Sequence, residues 1–224
     1  MPDLIPMKAP PLRDRFAFER SLWQQGLNRL AGVDEAGRGP LAGPVVAAAA
    51  VLPPRWLRDG LPKGLEGLND SKQLTPSQRE GFFAWLSADP EVEFAVASVE
   101  AGLVDQINIL QATHRAMDQA LAQLRSAPEH VLVDGHRVKT LRFPQTSIVK
   151  GDALSYSIAA ASVLAKVTRD RMMEAFDRSY PAYGFAVHKG YGTPQHLAAI
   201  QEHGACPIHR RSFAPFRPVE QELF

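Results

Sequence analysis

The chain has 224 residues, 45% of them hydrophobic, a single cysteine and a net charge of +1. This suits one large domain with a real core. It excludes a disordered chain and a disulfide scaffold, and no uninterrupted apolar run is long enough to cross a bilayer as a helix. The near-neutral total hides an asymmetry: residues 1–135 carry 13 Lys/Arg and 17 Asp/Glu, whereas residues 136–217 carry 12 and 5. A basic second half is either a solvated charged face or a surface for a polyanion such as a nucleic-acid backbone.

In chain order, residues 1–28 read as an N-terminal extension, Pro-rich and then helical from about Asp14 to Gln25. They lack the apolar stretch of a signal peptide, and with the lone Cys206 this fits a cytoplasmic protein. "RLAGVDEAG" predicts a strand. "GPVVAAAAVL" predicts a second, apolar throughout and so buried on both faces, with a Gly-rich hairpin between them. "PRWLRDGLPKGLEGLNDSKQL" reads as a loop. Thr75-Pro76 is an N-cap and first turn that opens a helix to about Ser87. "VEFAVASV" alternates like a strand, and "NILQATHRAMDQALAQL" has helical spacing. "EHVLVDG" and "TSIVKGD" predict two more strands, and a long Ala-rich helix begins after Asp152. "PAYGFAVHKGYGTPQ" reads as a loop, Thr193-Pro194 opens a last helix, and the tail is irregular. The order implies an α/β fold with a mixed sheet flanked by helices.

Four acids fall at strand ends or just beyond: Asp34, Glu35, Asp134 and Asp152. Asp134, before Gly135, could simply start a turn, and Asp152 could cap the long helix. Asp34 is harder to dismiss, because a lone buried carboxylate costs several kcal/mol unless it is paired or holds a metal. Oxygen-only ligands point to a hard ion, Mg²⁺ or Mn²⁺, and no Cys/His cluster argues for zinc. Adjacent residues of a strand face opposite ways, so Asp34 and Glu35 share a site only if the strand ends or kinks there. The Gly37-Arg38-Gly39 turn is either a tight hairpin or a place where backbone approaches substrate while Arg38 meets phosphate. Tyr191, between glycines, is either core or an exposed platform for a sugar or base.

"GVDEAGRGPLAGPVVAAAAVL", "LNDSKQL", "LVDG", "VKGD", "SIAAASVLAKVTRD", "YGFAVHKGYGTPQH" and "HRRSF" together resemble ribonuclease HII, the type 2 ribonucleases H, over roughly Leu30 to Phe213. The resemblance implies a ribonuclease-H-like sheet with a C-terminal helical region. Residues 29–217 would form the catalytic domain and 218–224 a tail. It also implies that Asp34, Glu35, Asp134 and Asp152 bind two metal ions. One ion would orient and help deprotonate a water, and the other would stabilise the leaving oxygen. Gly37, Arg38 and Gly39 would sense a ribose 2′-hydroxyl, and Tyr191 would pack on the next, deoxyribose, sugar. Lys72, Lys166 and Arg169 would stand near phosphates or support the site. The implied substrates are RNA–DNA hybrids and duplex DNA with embedded ribonucleotides, cut 5′ of the ribonucleotide to leave 3′-hydroxyl and 5′-phosphate. The related ribonuclease HIII usually carries Gly-Thr-Gly and a substantial extra N-terminal domain. Competing readings are a non-catalytic nucleic-acid-binding module and another nuclease of the same fold. A monomer is the default. "EQELF" at the C-terminus resembles peptides that dock on sliding clamps, with Glu220 where Gln is preferred.

Overall fold

The computed structural model describes residues 14–216. Five strands form one mixed sheet: β1 (Leu30–Ala36), β2 (Val45–Val51), β3 (Glu93–Val99), β4 (His130–Asp134) and β5 (Gln145–Ile148), in the order β3-β2-β1-β4-β5. β1 is antiparallel to β2, which is antiparallel to β3, while β4 runs parallel to both β1 and β5. The register of the parallel pair sets the site. Val33 lies opposite Val133, so the next residues, Asp34 and Asp134, leave neighbouring strands side by side.

Eight helices accompany the sheet among the described residues: α1 (Ala17–Gln24), α2 (Pro54–Asp59), α3 (Pro76–Ala88), α4 (Ala101–Ala122), α5 (Gly151–Leu154), α6 (Tyr156–Ser179), α7 (Phe185–His188) and α8 (Pro194–His203). One face of the sheet buries Ala31, Val33, Val131 and Val133 against α4. The other buries Ala48 and Ala50 against α6 and α3. Every residue of β2 is buried, as its unbroken apolar run requires. Its alanines let helices approach from both sides. No helix among the described residues is long and apolar enough to cross a membrane.

Several local expectations are met. Thr75 caps α3 in a reciprocal capping box with Gln78, and Thr193 caps α8. Others need correction. The segment read as a loop after β2 contains α2 and a 3₁₀ turn at Lys63–Leu65, because Trp56, Leu57 and Leu65 are buried anchors. The loop before α8 contains α7 and a 3₁₀ turn at Pro181–Tyr183. Helix α4 begins before the predicted start and breaks at Asn108, whose backbone is left-handed (φ 67°). Its Oδ1 accepts from the Gln111 amide, so Asn108 caps the second segment. The long helix α6 begins after Asp152, as expected, but Asp152 is not its cap. Ser155 is extended and its Oγ accepts from the Ile158 amide, so Ser155 is the cap of α6. That frees the Asp152 side chain from capping the long helix.

The described part of the N-terminal lead-in packs onto the core. Phe16 is buried, and buried Glu19 accepts hydrogen bonds from Ser155 Oγ (2.6 Å) and the Ser157 amide (3.1 Å), steadying the start of α6. Burial outweighs these bonds and raises the Glu19 carboxyl above its usual range.

Gly32 sits where β1 touches α6. A Cβ there would lie 2.1 Å from the Ser157 carbonyl carbon and 2.4 Å from the Ile158 amide nitrogen, both backbone atoms. Gly32→Ala is expected to cost about 3 kcal/mol, since neither element can yield without displacing the other. A urea melt checks this, and a midpoint unchanged from wild type would refute the close-packing account.

Candidate active site

The ends of β1 and β4 and the start of α5 bring three acids together. Asp34, Asp134 and Asp152 each offer an oxygen, all within 4.8 Å of one another. Asp34 and Asp152 are buried, and Asp34 Oδ1 accepts from the Glu35 amide at 2.7 Å. Asp134 Oδ1 accepts from the Gly151 amide at 2.7 Å, fastening β4 to the loop that carries Asp152. That loop turns at Lys150, held left-handed at φ 58°. Arg15 of the lead-in also ties it down, donating Nη2 to the Asp152 carbonyl at 2.8 Å.

Glu35 stands apart from this trio. β1 continues through Ala36, so Glu35 projects to the opposite face from Asp34. Its carboxylate accepts from Arg38 Nη1 at 3.1 Å, and it lines a cavity of about 510 Å³ with Asp134, His114, His136 and Arg137. Three of the four acids expected from the sequence thus meet within 4.8 Å, while Glu35 lies on the other side of the strand, close enough for its charge to act on Asp34.

Burial, followed by the charges of Glu35 and Asp134, raises the Asp34 carboxyl well above its ordinary range. Burial and Asp134 push Asp152 up to about 6, with Asp70 adding to the effect. Burial and the Asp134 charge also raise Glu35, against the opposing pull of Arg38. Three or more carboxylates held this close favour protons or a cation. An all-oxygen donor set of this kind fits a hard divalent ion, and Asp34, Asp134 and Asp152 are the residues that would hold it. Asp70, at the rim, is a further acid that the sequence reading passed over, although it lies inside the quoted "LNDSKQL".

A second cavity, about 480 Å³, opens beside the acids and is lined by Glu35, Arg38, Gly39, Lys72, Lys166 and Tyr191 among others. Lys72 is exposed, with Nζ 4.0 Å from Asp152 Oδ2. Although partial burial works against its charge, the carboxylates Asp34, Asp70, Asp152 and Asp134 together hold its ammonium above the usual lysine range. Lys166 is half-buried and bonds Asp170 Oδ1 at 2.7 Å. Tyr191 is 44% exposed and is not core. Arg169 is different: it is 1% exposed, and its guanidinium donates to the carbonyls of Pro44, Lys189 and Ala42, each at 3.0 Å. It lies beneath the Gly-Arg-Gly loop, supporting it from below.

Arg210, missed in the sequence although it stands in the quoted "HRRSF", does the same from the other side. It is fully buried and donates to the carbonyls of Gly37 (2.6 Å), Arg38 (3.0 Å), Pro40 (2.9 Å) and Gly43 (3.0 Å), while its amide donates to Leu41. Of the carbonyls from Gly37 to Pro44, only that of Gly39 is not taken by Arg169 or Arg210. Burial and the nearby Arg169 charge lower Arg210 to about 9, which leaves it cationic at neutral pH. In a planar trans peptide the N–H points opposite to the C=O. The amides of Arg38 and Gly39 therefore face away from the buried guanidinium.

The two glycines of the turn are not equivalent. Gly37 has φ 93°, and a Cβ there would meet Arg169 Nε at 2.0 Å, so the fold itself demands glycine. At Gly39 the nearest atom to a Cβ would be Tyr191 Cε1 at 3.9 Å. Packing leaves room for a side chain at Gly39, and the open space faces Tyr191.

The family model for ribonuclease HII matches residues 31–216. Ribonuclease HII of Ruminiclostridium cellulolyticum is 52% identical over 202 residues, covering 90% of this chain and 76% of that relative. The crystal structure of ribonuclease H2 from Pyrococcus horikoshii superposes with a TM-score of 0.69 at 31% identity, covering 84% of this chain and 95% of that one. The Archaeoglobus fulgidus ribonuclease HII, in a structure of its complex with PCNA, gives a TM-score of 0.67 at 23% identity, covering 87% and 98%. With the same sheet, the acids at its strand ends and half-identical relatives along most of its length, the chain belongs to the ribonuclease HII family.

Proposed function

We propose that this chain is a divalent-metal-dependent endoribonuclease that cuts the RNA strand of RNA–DNA hybrids and cuts 5′ of single ribonucleotides embedded in duplex DNA, leaving 3′-hydroxyl and 5′-phosphate ends. The observation that carries the reading is one of placement. Glu35, the pinned Gly37-Arg38-Gly39 loop, Lys72 and exposed Tyr191 line one cavity, and the acid trio lies beside it, with Asp152 Oδ2 4.0 Å from Lys72 Nζ. When bound, divalent ions, two in this reading, supply the positive charge that hydrolysis at phosphorus requires. Asp34, Asp134 and Asp152 hold them, with Glu35 contributing from the other face of β1. Gly39 lets a sugar come close to the outward-facing amides, where a 2′-hydroxyl distinguishes ribose from deoxyribose. Arg38, Lys72 and Lys166 offer cations to phosphates, which positions the strand without reading its bases. Tyr191 packs on the following deoxyribose. The sliding-clamp reading of the C-terminal tail joins this proposal on sequence alone, since residues 217–224 lie outside the described structure. Loss of clamp capture on deleting Leu223 and Phe224 would support it.

The decisive test is an end-labelled DNA duplex with one ribonucleotide, incubated with Mg²⁺ or Mn²⁺ beside an all-DNA control. A single cut 5′ of the ribonucleotide, absent from the control, is expected. Binding without any cutting would favour a non-catalytic module, and cutting of the all-DNA duplex would favour another nuclease. Tyr191→Ala is expected to lower kcat/KM about 10- to 100-fold on the single-ribonucleotide duplex, and several-fold less on a continuous hybrid. Equal losses on both substrates would remove Tyr191 from junction recognition.

A further inference from the structure

Behind Tyr191 lies a buried group of histidines that the proposed chemistry does not use. His188, His196 and His209 are 7%, 0% and 2% exposed. The His188 and His196 rings stack with centroids 4.4 Å apart, and Phe185 abuts all three rings. Their hydrogen bonds leave one consistent proton arrangement. His209 Nδ1 must accept, because the Cys206 amide donates to it at 2.9 Å. The proton of a neutral His209 is then on Nε2, 3.0 Å from His196 Nε2, which must accept. The His196 proton is therefore on Nδ1, and it donates to the Tyr191 carbonyl at 2.9 Å. His188 is fixed independently: its Nδ1 accepts from the Gly190 amide at 3.2 Å and its Nε2 donates to the Tyr183 carbonyl at 2.7 Å.

We propose that His209 and His196 are positioning residues, a one-way relay of neutral imidazoles running from the Cys206 amide through His209 and His196 to the Tyr191 carbonyl, which sets the Tyr191 ring for the sugar at the junction. His188, outside the relay, holds the amide of Gly190, the residue before Tyr191. The inference rests on the role given to Tyr191 above. The turn needs such support because it is unfavourable by itself. Lys189 and Gly190 both have positive φ (52° and 82°), and a Cβ at Gly190 would strike the Ala42 carbonyl at 2.6 Å. The relay and the Gly190 contact together explain why three buried histidines gather there. A protonated His196 would turn an N–H toward the His209 N–H, and a protonated His209 would turn one toward the Cys206 amide. The titratable groups facing them are His188, Tyr183, Cys206 and Arg211, none of which offers a charge to compensate an imidazolium. Burial lowers both rings, His209 to about 4, in agreement with this arrangement.

The test compares His196→Phe, His196→Asn and Tyr191→Ala on the single-ribonucleotide duplex and on a continuous hybrid, with the metal-induced rise in Tm as a control for the fold. His196→Phe should lower kcat/KM on the single ribonucleotide about 10- to 100-fold, and several-fold less on the continuous hybrid. His196→Asn, which keeps a donor near the Tyr191 carbonyl, should recover part of the loss. If Tyr191→Ala is selective but His196→Phe affects both substrates equally or neither, the relay is overturned and the role of Tyr191 stands. If Tyr191→Ala is itself unselective, the reading of Tyr191 falls and the relay's function falls with it. Should His196→Phe fail to fold, two-bond ¹H–¹⁵N spectra of the wild-type histidine rings decide. At pH 7 the relay requires His196 protonated on Nδ1 only and His209 on Nε2 only. Any other tautomer, or an imidazolium, overturns it.

Discussion

Asp34→Asn is expected to lower cleavage of the single-ribonucleotide duplex by about 10³-fold or more while raising the thermal stability of the metal-free protein. Both effects have one cause. Asp34 is buried within reach of Asp134 and Asp152, and among the described residues no cation lies closer to the trio's carboxylate oxygens than exposed Lys72, 4.0 Å from Asp152 Oδ2. Without metal, folding forces like charges together, and the fold bears that cost. Asparagine keeps the shape and the acceptor for the Glu35 amide, removes one charge and weakens the hold on a divalent ion. The metal-free variant should melt about 3–6 °C higher than wild type near pH 7.5. The sign of the pH dependence follows from the raised carboxyls. Between the ordinary Asp value and about 6, the folded state of the wild type binds more protons than the unfolded state. Its stability is therefore greatest at the acid end of that window and is lost as pH rises through it. The advantage of the variant should accordingly be small near pH 4 and grow as pH rises, because the Asp34 carboxyl is itself raised well above its ordinary range. Adding Mg²⁺ or Mn²⁺ should raise the wild-type Tm and shift the variant far less. Calorimetry with and without metal checks this. A variant that cuts normally, or gains as much from metal as wild type, would remove Asp34 from the site.

How much of this was legible beforehand depended on whether the signal was local. The strands of the sheet, the caps at Thr75 and Thr193 and the buried character of "GPVVAAAAVL" follow from periodicity and capping chemistry, and the structure shows each of them. The acids could be suspected from a carboxylate inside an apolar run. Their meeting could not be read locally, because it depends on β1 and β4 being parallel neighbours in a register that no short window contains. The resemblance to a known family supplied that link. The separation of Glu35 from the trio was foreshadowed by strand alternation: a shared site required the strand to end or kink at Glu35, and β1 runs one residue further, to Ala36. Ser155 as the cap of α6 was obscured by Asp152, an equally good capping residue three positions earlier. Arg15, Arg210 and the buried histidines were missed for a shared reason. Arginine and histidine in a charged or irregular segment read as surface, and only the tertiary fold shows that carbonyls are waiting to receive them.

Arg210→Met is expected to cost about 3 kcal/mol of stability and to lower kcat/KM on the single-ribonucleotide duplex about 100-fold. The side chain makes four hydrogen bonds to carbonyls of one loop, and methionine supplies none. Each acceptor left buried and unpaired costs about 1–3 kcal/mol, a total partly offset because the variant no longer buries a charge. The functional loss follows from geometry. With its carbonyls released, the Gly37–Pro44 loop can rotate its peptides, and the amides of Arg38 and Gly39 no longer hold one direction for the incoming sugar. Arg210→Lys tests whether charge or shape matters. Lysine keeps the charge but brings three donors from a single atom, which cannot reach four carbonyls arranged around a planar fork. It should therefore recover little of the activity. Gly39→Ala is the complement: space at that position should leave stability within about 0.5 kcal/mol of wild type while the methyl group blocks the sugar's approach. Chemical melts read with kinetics on the same preparations separate the two cases. An Arg210→Met protein that is destabilised but cuts the single-ribonucleotide duplex at the wild-type rate would show that the loop finds its working shape without the clamp.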